Sequence, residues 1–439
     1  MLSYNNTGKI EAQRQAGECP PALREGKGHN LKQRQYPQAA VSRKAEESLR
    51  AGHPWIYDTE IRQLTGEPAD GGLVDAVSVR GRYLGTGFYN SRSKIRIRVM
   101  TTSANDRFDD AFYERRLRYA WEYRKTVMAP QELSCCRLVF GEADRFPGLT
   151  VDRFGEILVT QTLSLGIERV KDRLFPLLVK ILREDGQKIT GIYERNDVAI
   201  REREGMEQNK GFYALPGEDV PAFTQTEIVE NKVRYGVDFA EGQKTGFFLD
   251  QKYNRQAVAR ISAGKRVLDC FTHTGSFALN AAMGGAVLVD AVDISSAAVE
   301  LARANAARNG LQERVHVREA NVFDLLPTLA ERGGEGYGLV ILDPPAFTKS
   351  RQTVESAMRG YKEINLRAMK LLPRGGYLAT CSCSHFMTEP LFCQMLRAAA
   401  QDAEVSLRQI EARQQAPDHP IDWAVPETNY LKFYLFQIV

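Results

Sequence analysis

The sequence predicts an α/β protein in which a mostly parallel, helix-flanked sheet follows a small β-rich domain and an α+β middle module. Three observations predict this. From about residue 222 onward, short apolar runs alternate with helical patterns, as crossover-connected parallel strands require. Residues 39–103 hold short strand-like runs broken by glycine. Residues 104–221 mix both kinds of pattern. At ~150 residues per domain, 439 residues fit about three such units.

The elements follow in chain order. Residues 1–38 are dominated by Gln, Lys, Arg, Gly and Pro, with apolar residues scattered without period. Such a stretch cannot bury enough surface to offset its ordering entropy, and it reads as a disordered, passive tail. In residues 39–103, Pro54-Trp55-Ile56-Tyr57 precedes a Gly/Pro/Asp loop through Gly72, and strands are expected at 73–79, 82–89 and 95–100. Arg92, Lys94, Arg96 and Arg98 alternate with Ser93, Ile95, Ile97 and Val99. On a strand of period two, this puts four cations on one face. They make either a solvated face or a phosphate-binding one.

A helix is expected over 109–127, with Phe112, Leu117, Tyr119, Ala120 and Tyr123 inward and Arg115, Arg116, Arg118 and Arg124 in water. Strands at 136–140, 149–151, 157–161, 189–193 and 198–201 surround a helix at 166–183, and the Glu and Arg residues of 194–204 read as a surface ion-pair set. The last unit, 222–439, pairs strand 266–270 with helix 276–284, then 287–293 with 295–309 and 315–318 with 323–331. Strand 338–343 pairs with helix 353–372 and 376–381 with 388–401, before closing strands near 404–411 and 430–438.

Composition narrows the function. No window approaches the ~20 uninterrupted apolar residues of a membrane span, and the polar N-terminus MLSYNNTGKIEAQRQ lacks a signal-peptide core. A cytoplasmic protein without membrane association is expected. The cysteines, at 19, 135, 136, 270, 381, 383 and 393, show no regular spacing. They suggest neither a disulfide framework nor a metal site, so reduced thiols are expected. A net charge of +4 confines any nucleic-acid site to a local patch.

Ligands of such a sheet bind beyond the carboxyl ends of its strands. The first strand ends in Asp269-Cys270 and runs into Phe271-Thr272-His273-Thr274-Gly275. The second ends at Asp293, where a carboxylate can accept from ribose hydroxyls. The third ends near Asp324, which could meet an adenine amine or cap the next helix. The fourth ends in Asp343-Pro344-Pro345-Ala346-Phe347, a stiff acidic loop suited to a flat base. The fifth ends in Thr380-Cys381-Ser382-Cys383-Ser384-His385. A buried apolar role suits Cys270 and Cys393 better than Cys383, which lies past its strand in a polar loop. An ordinary thiol there would be a few per cent thiolate at neutral pH, with Cys381 deeper and more buried. His385 is given no role.

The run 267–277, the Asp293 strand end, Asp343–Phe347 and 380–384 resemble the signature loops of class I S-adenosylmethionine-dependent methyltransferases, whose sheet is Rossmann-like. More closely, the chain resembles the bacterial 23S ribosomal RNA large-subunit methyltransferase I family, which makes 5-methylcytosine. Gly52-His53-Pro54-Trp55-Ile56-Tyr57 and 85–98 resemble its N-terminal PUA domain, an RNA-binding barrel. Gly141-Glu142-Ala143-Asp144 and Phe146-Pro147-Gly148-Leu149 resemble its middle module, 242–251 its entry to the catalytic domain, and Asp418-His419-Pro420 and Tyr430-Leu431-Lys432 its C-terminal part. The resemblance runs from about residue 39 to the end.

The resemblance implies S-adenosylmethionine as cofactor. Gln243, Thr245, Gly246, Asp269, Thr274 and Gly275 would surround its methionine part, Asp293 its ribose and Asp324 its adenine. Asp343 would lie beside both the cofactor and the target base. Cys383 would be the nucleophile adding to carbon 6 of a cytosine, and the partner would be 23S ribosomal RNA or a large-subunit particle. Arg92, Lys94, Arg96 and Arg98 would contact RNA. Monomer and homodimer both stay open. Two features favour other readings. The fourth-strand loop lacks the second cysteine that many RNA 5-methylcytosine enzymes carry there, and Asp-Pro-Pro followed by Phe also suits methylation of a guanine or adenine nitrogen in RNA. A non-catalytic RNA-assembly factor is disfavoured by the intact Asp293, Asp324, Asp343 and Cys383.

Overall fold

Alternating inward apolar side chains build the N-terminal sheet of the computed structural model, which describes residues 35–332, 336–348 and 350–439. The tail expected over 1–38 lies outside the described residues as far as 34. The chain runs β1 (Gln38–Val41), α1 (Arg43–Arg50), β2 (Trp55–Tyr57), β3 (Ile61–Thr65), β4 (Leu73–Ser78), β5 (Tyr83–Tyr89) and β6 (Ile95–Thr101). The six strands form one sheet in the order β2-β6-β5-β4-β1-β3, around a core that includes Val41, Leu49, Ile56, Val74 and Ile97. Ser42 caps α1 by accepting the Ala45 N–H at 3.2 Å. At Gly87, where β5 bulges, an added Cβ would lie 2.1 Å from the Arg98 carbonyl oxygen, so the strands approach closely there because Gly87 has no side chain.

The four-cation strand face does not form as one unit. β6 starts at Ile95, which leaves Arg92 and Lys94 exposed in the preceding turn. Arg98 meets acids that sequence neighbours could not reveal: Glu204 at 3.0 Å and Glu142 at 3.4 Å. Arg96 is half-buried and donates to the Asn90 carbonyl.

The middle module contains α2 (Asp110–Val127), β7 (Cys135–Phe140), β8 (Leu149–Phe154), β9 (Ile157–Thr162), α3 (Leu165–Glu184), β10 (Gly191–Asn196), α4 (Ile200–Arg203) and β11 (Asn209–Tyr213). Its sheet runs β11-β10-β9-β8-β7. Three expectations are corrected here. The 198–201 segment is a helical turn rather than a strand, because Arg201 is drawn inward to the Thr162 carbonyl at 2.5 Å and Glu168 at 3.0 Å. Of the 194–204 Glu and Arg residues only Glu202 and Arg203 are exposed, since Glu194, Arg195, Arg201 and Glu204 are all buried. On α2, Tyr119 is 67% exposed, while Tyr113, Trp121 and Arg124 turn inward instead. Arg124 satisfies both oxygens of Asp144, at 2.5 and 2.7 Å, and the Asp418 carbonyl at 2.9 Å, so its charge is matched without water.

A hairpin, β12 (Gln225–Glu230) and β13 (Val233–Asp238), and α5 (Lys252–Ile261) lead into the last sheet. That sheet is built from β14 (Arg266–Cys270), α6 (Ser276–Met283), β15 (Leu288–Asp293), α7 (Ser296–Arg308), β16 (Val315–Glu319), α8 (Val322–Glu331), β17 (Leu339–Leu342), α9 (Val354–Leu371), β18 (Tyr377–Ser382), α10 (Glu389–Asp402), β19 (Leu407–Arg413) and β20 (Lys432–Ile438). The order is β16-β15-β14-β17-β18-β20-β19, with β20 antiparallel to both neighbours. Helices cover both faces, so β17 is apolar at every position. Strand order reverses between β14 and β17, which opens the crevice where doubly wound sheets bind ligands. This is the α/β class I methyltransferase fold that the sequence predicts. Among the described residues, no helix is long and apolar enough to cross a membrane.

Removing Arg124 would leave the Asp144 carboxylate buried without its cation. Arg124→Met is expected to cost about 3–5 kcal/mol, read as a lowered denaturant midpoint. An unchanged midpoint would mean that the pair adds nothing to stability.

Candidate active site

A cavity of about 500 Å³ opens at the carboxyl ends of β14, β15, β17 and β18. Its wall mixes aromatic rings (Phe248, Phe271, Phe323, Phe347) with Asp250, Asp293, Asp343, Lys244, Arg255 and Cys383. The loop after β14 turns sharply, with left-handed backbone at Phe271 (φ 64°), His273 (φ 50°) and Gly275 (φ 78°). Asp269 anchors it by accepting the Thr272 hydroxyl at 2.6 Å and the Ala278 N–H at 2.9 Å. Burial pushes Asp269 up to about 7. Asp293 is fixed by the backbone N–H groups of His273 (2.9 Å) and Ser295 (3.0 Å), and it lines the cavity.

The sequence-predicted residues separate into two groups. Gln243, Asp293, Asp343 and Cys383 line the cavity. Thr245, Gly246, Asp269, Thr274 and Gly275 stand behind it as frame. The Thr245 hydroxyl donates to Asp152 at 2.6 Å, and an added Cβ on Gly275 would meet Ala302 of α7 at 3.2 Å. Asp324 is exposed in the first turn of α8 and outside the lining; Asn321, not Asp324, caps that helix by accepting the Phe323 N–H at 3.0 Å.

Asp343 accepts the Gln251 amide at 3.0 Å. Burial and the nearby Asp250 charge push it up to about 6. Asp250 accepts the Tyr430 hydroxyl at 2.6 Å. Burial would raise Asp250, but His419, Lys244 and that hydroxyl outweigh it and hold it low.

Cys383 is half-buried just past β18. Its thiol is not ordinary: burial and the Asp343 charge push it up to about 11, against the opposing pull of Lys244 and Lys432. The thiolate share at pH 7 is therefore roughly one in ten thousand, not a few per cent. Lys432 was not singled out from sequence. It is buried, donates to the Ser384 and Tyr430 carbonyls at 2.6 and 2.8 Å, and is lowered to about 8 by burial. Its signal was its place at the start of the last strand, which pairs beside the cysteine strand. Lys244 was passed over too; its left-handed backbone (φ 52°) lets its ammonium sit over Phe248, 4.7 Å from the ring centre.

The wall suits the cofactor that the resemblance implies. Asp250 Oδ1 and Arg255 Nε are buried without a hydrogen-bond partner, and both residues line the cavity. They supply an acceptor and a donor for an amino-acid zwitterion, while the aromatic side suits a purine ring.

Alkylation of Cys383 by iodoacetamide, followed by peptide mass spectrometry, is expected to rise about tenfold per pH unit from pH 7 to 10 without a plateau. A plateau below pH 9 would show that the cations dominate the thiol. Asp293→Ala is expected to weaken S-adenosylmethionine binding roughly 10- to 100-fold by calorimetry, the loss of a charge-assisted acceptor. Unchanged affinity in a folded variant would remove Asp293 from the cofactor site.

Comparison with known proteins agrees with this geometry. Residues 211–437 match the model of the S-adenosylmethionine-dependent methyltransferase family, and residues 40–102 match a PUA-like domain. A solved structure of a putative S-adenosylmethionine-dependent methyltransferase from Streptococcus mutans shares the fold, with TM-score 0.75 at 21% identity over 91% of this chain and 99% of that one. A putative methyltransferase complexed with S-adenosylhomocysteine matches equally well, with TM-score 0.75. The ribosomal RNA large subunit methyltransferase I of Photobacterium profundum is 42% identical over 88% of this chain and 96% of its own length. That of Klebsiella pneumoniae (strain 342) is 38% identical over 92% of this chain and 99% of its own. With a cofactor-shaped cavity at the strand ends and likeness along nearly all its described length, the chain belongs to the ribosomal RNA large subunit methyltransferase I family and is an S-adenosylmethionine-dependent methyltransferase.

Proposed function

We propose that the protein methylates carbon 5 of a cytosine in 23S ribosomal RNA in the cytoplasm, with Cys383 as nucleophile. One observation carries this reading: Cys383 lies on the same cavity wall as Asp343 and Asp293, within the field of two lysines.

The cofactor, when bound, supplies an electrophilic methyl group. The chain's residues must make carbon 5 nucleophilic. The Cys383 thiolate adds to carbon 6, and the ring then carries enamine character at carbon 5. Asp343 faces the base and shares a proton with ring nitrogen 3, which offsets the charge that addition delivers to the ring. Once carbon 5 has gained its methyl group, its proton passes to solvent and the C–H pair re-forms the 5,6 double bond. The carbon 6–sulfur bond breaks with its pair going to Cys383, and the proton on nitrogen 3 returns to Asp343.

The charges on Cys383 and Asp343 oppose each other. A proton held at Asp343 removes one of the two carboxylate charges that, together with burial, favour the neutral thiol, so protonation of Asp343 and thiol ionisation favour one another. Lys244 and Lys432 supply the constant part of that bias. Cys381 sits apart from this chemistry: it is fully buried and is not among the residues that line the cavity.

Among the four cations expected to touch RNA, the exposed Arg92 and Lys94 are free to meet phosphates, whereas Arg98 is spent on Glu204 and Glu142. Converting Arg92 and Lys94 to Gln should flatten the log–log salt dependence of RNA binding by about 2; an unchanged slope would return them to the solvated-face reading.

Cys383→Ala is expected to abolish methyl transfer while cofactor binding persists, and Cys381→Ala to keep most activity. Ribosomal RNA carrying 5-fluorocytidine should trap a covalent adduct that maps to Cys383, because fluorine blocks the final elimination. If no adduct forms and Cys383→Ala stays active, the protein methylates a guanine or adenine nitrogen instead, with Asp343 and Phe347 holding the base.

A further inference from the structure

A second cleft, of about 230 Å³, lies where the N-terminal sheet meets α2 and shares no lining residue with the active-site cavity. Its walls include His53, Thr101, Thr102, Arg116 and Arg145. Arg116 lies flat over Phe112, 4.3 Å from the ring centre, and donates to the Arg145 carbonyl at 3.2 Å. Among the described residues it makes no ion pair. Arg145 projects from a left-handed residue (φ 61°) and is tethered to Asp422 at 2.9 Å. Two guanidinium groups are thus held beside one cleft, and only Arg145 of the two is ion-paired among the described residues, an arrangement that gains from an added anion.

Trp423 stands next to this cleft and is 96% exposed. Its chain neighbours fix its position. Asp422 holds Arg145, and an added Cβ on Gly52 would lie 2.9 Å from the Ala424 side chain; Arg145 and Gly52 both line the cleft. The turn is closed internally, since the Ala424 N–H donates to Asp422 Oδ1 at 2.9 Å and the Val425 N–H to the Asp422 carbonyl at 2.9 Å. Glu427, in the same turn, meets His53 of the cleft at 3.2 Å. The indole is therefore a ring presented by a braced turn. A scattered exposed apolar residue needs no explanation, but an indole presented to solvent by a braced turn, whose chain neighbours touch a cleft with two guanidinium groups, carries the two elements of single-strand recognition: a stacking surface and phosphate donors.

The same segment ends at the active site. Tyr430 holds Asp250, Leu431 lines the cavity, and Lys432 acts on Cys383. A strand crossing residues 422–431 would pass from the second cleft to the reacting base. We propose that this cleft and Trp423 form an RNA-contact site for an unpaired nucleotide of the substrate outside the target base, with its phosphate between Arg116 and Arg145 and its base stacked on Trp423. This rests on the reading of the protein as an RNA methyltransferase.

The test uses the full chain, a short single-stranded oligouridylate and a protein-free 23S ribosomal RNA transcript. Trp423→Ala is expected to weaken oligouridylate binding roughly tenfold, and Trp423→Phe to restore most of it. Arg116→Gln should lower the log–log salt slope by about 1. Wild-type tryptophan emission should be quenched by the oligouridylate and that of Trp423→Ala should not, while S-adenosylmethionine affinity stays constant throughout. If wild type methylates the transcript and all three variants bind and react like it, the site proposal fails and the function stands. If the variants are impaired on ribosomal particles but not on the transcript, the surface docks a protein and the proposal is overturned. If wild type binds cofactor but neither binds nor methylates RNA, the functional reading fails and takes the site with it.

Discussion

The active site depends on a buried charge cluster centred on Asp418. That carboxylate is fully buried, accepts the Arg137 N–H at 2.9 Å and lies 2.9 Å from His419 Nδ1. Burial would raise it, but His419, Lys252 and the Arg137 N–H outweigh that and hold it down at about 2. Arg124 crosses from α2 to the Asp418 carbonyl while clamping Asp144. One knot of charges therefore joins the middle module to the segment that carries Tyr430, Leu431 and Lys432 into the cavity. A neighbouring chain of bonds, from Arg137 to Asp152 at 2.7 Å and from Thr245 to Asp152 at 2.6 Å, holds the cofactor-side loop from the same module. The middle module has no residue on the cavity wall, yet it fixes two of the cavity's edges. Isolated buried pairs are often energetically neutral against apolar substitutes; their value here is that each partner sits on a different part of the chain.

The catalytic sheet was largely legible in the sequence because its strands are buried on both faces and separated by well-patterned helices. Runs such as Leu339–Leu342 and the helical stripe of α9 are dictated by burial alone. What could not be read depended on contacts distant in sequence. Arg124 looks like a wet-face residue in its helix and becomes core through a carboxylate 20 residues away and a carbonyl 294 residues away. Glu204 and Arg201 look like surface charges until Arg98, Ser93 and the Thr162 carbonyl surround them. The short strands β1, β3 and β11 are not legible because few residues with weak patterning define them.

The site divides in the same way. Strand-end acids and the Cys383 loop were legible because a doubly wound sheet funnels its chemistry to those positions. Which of them face the cavity was not, since a residue at a strand end can equally anchor the loop behind it, as Asp269 does through Thr272 and Ala278. Lys432 and Asp250 lie in segments that the resemblance marks, but the strand-end pattern does not single them out, because each reaches the site from an element outside it.

The thiol shows why geometry matters more than residue type here. A half-buried cysteine beside a carboxylate would by itself be a poor nucleophile, since burial and Asp343 both favour the neutral thiol. The same burial lowers Lys432 and raises Asp343, so all three groups are held away from their aqueous ionisation in the direction that reduces charge. On the proposed mechanism a flat base shares the proton of a neutral Asp343, so one of the two carboxylate charges that raise the thiol is absent, while Asp250, Lys244 and Lys432 continue to act on it. If Cys383 is the nucleophile, as proposed, its ionisation would be coupled to base binding through Asp343, and the reactive thiolate would form only with a substrate in place.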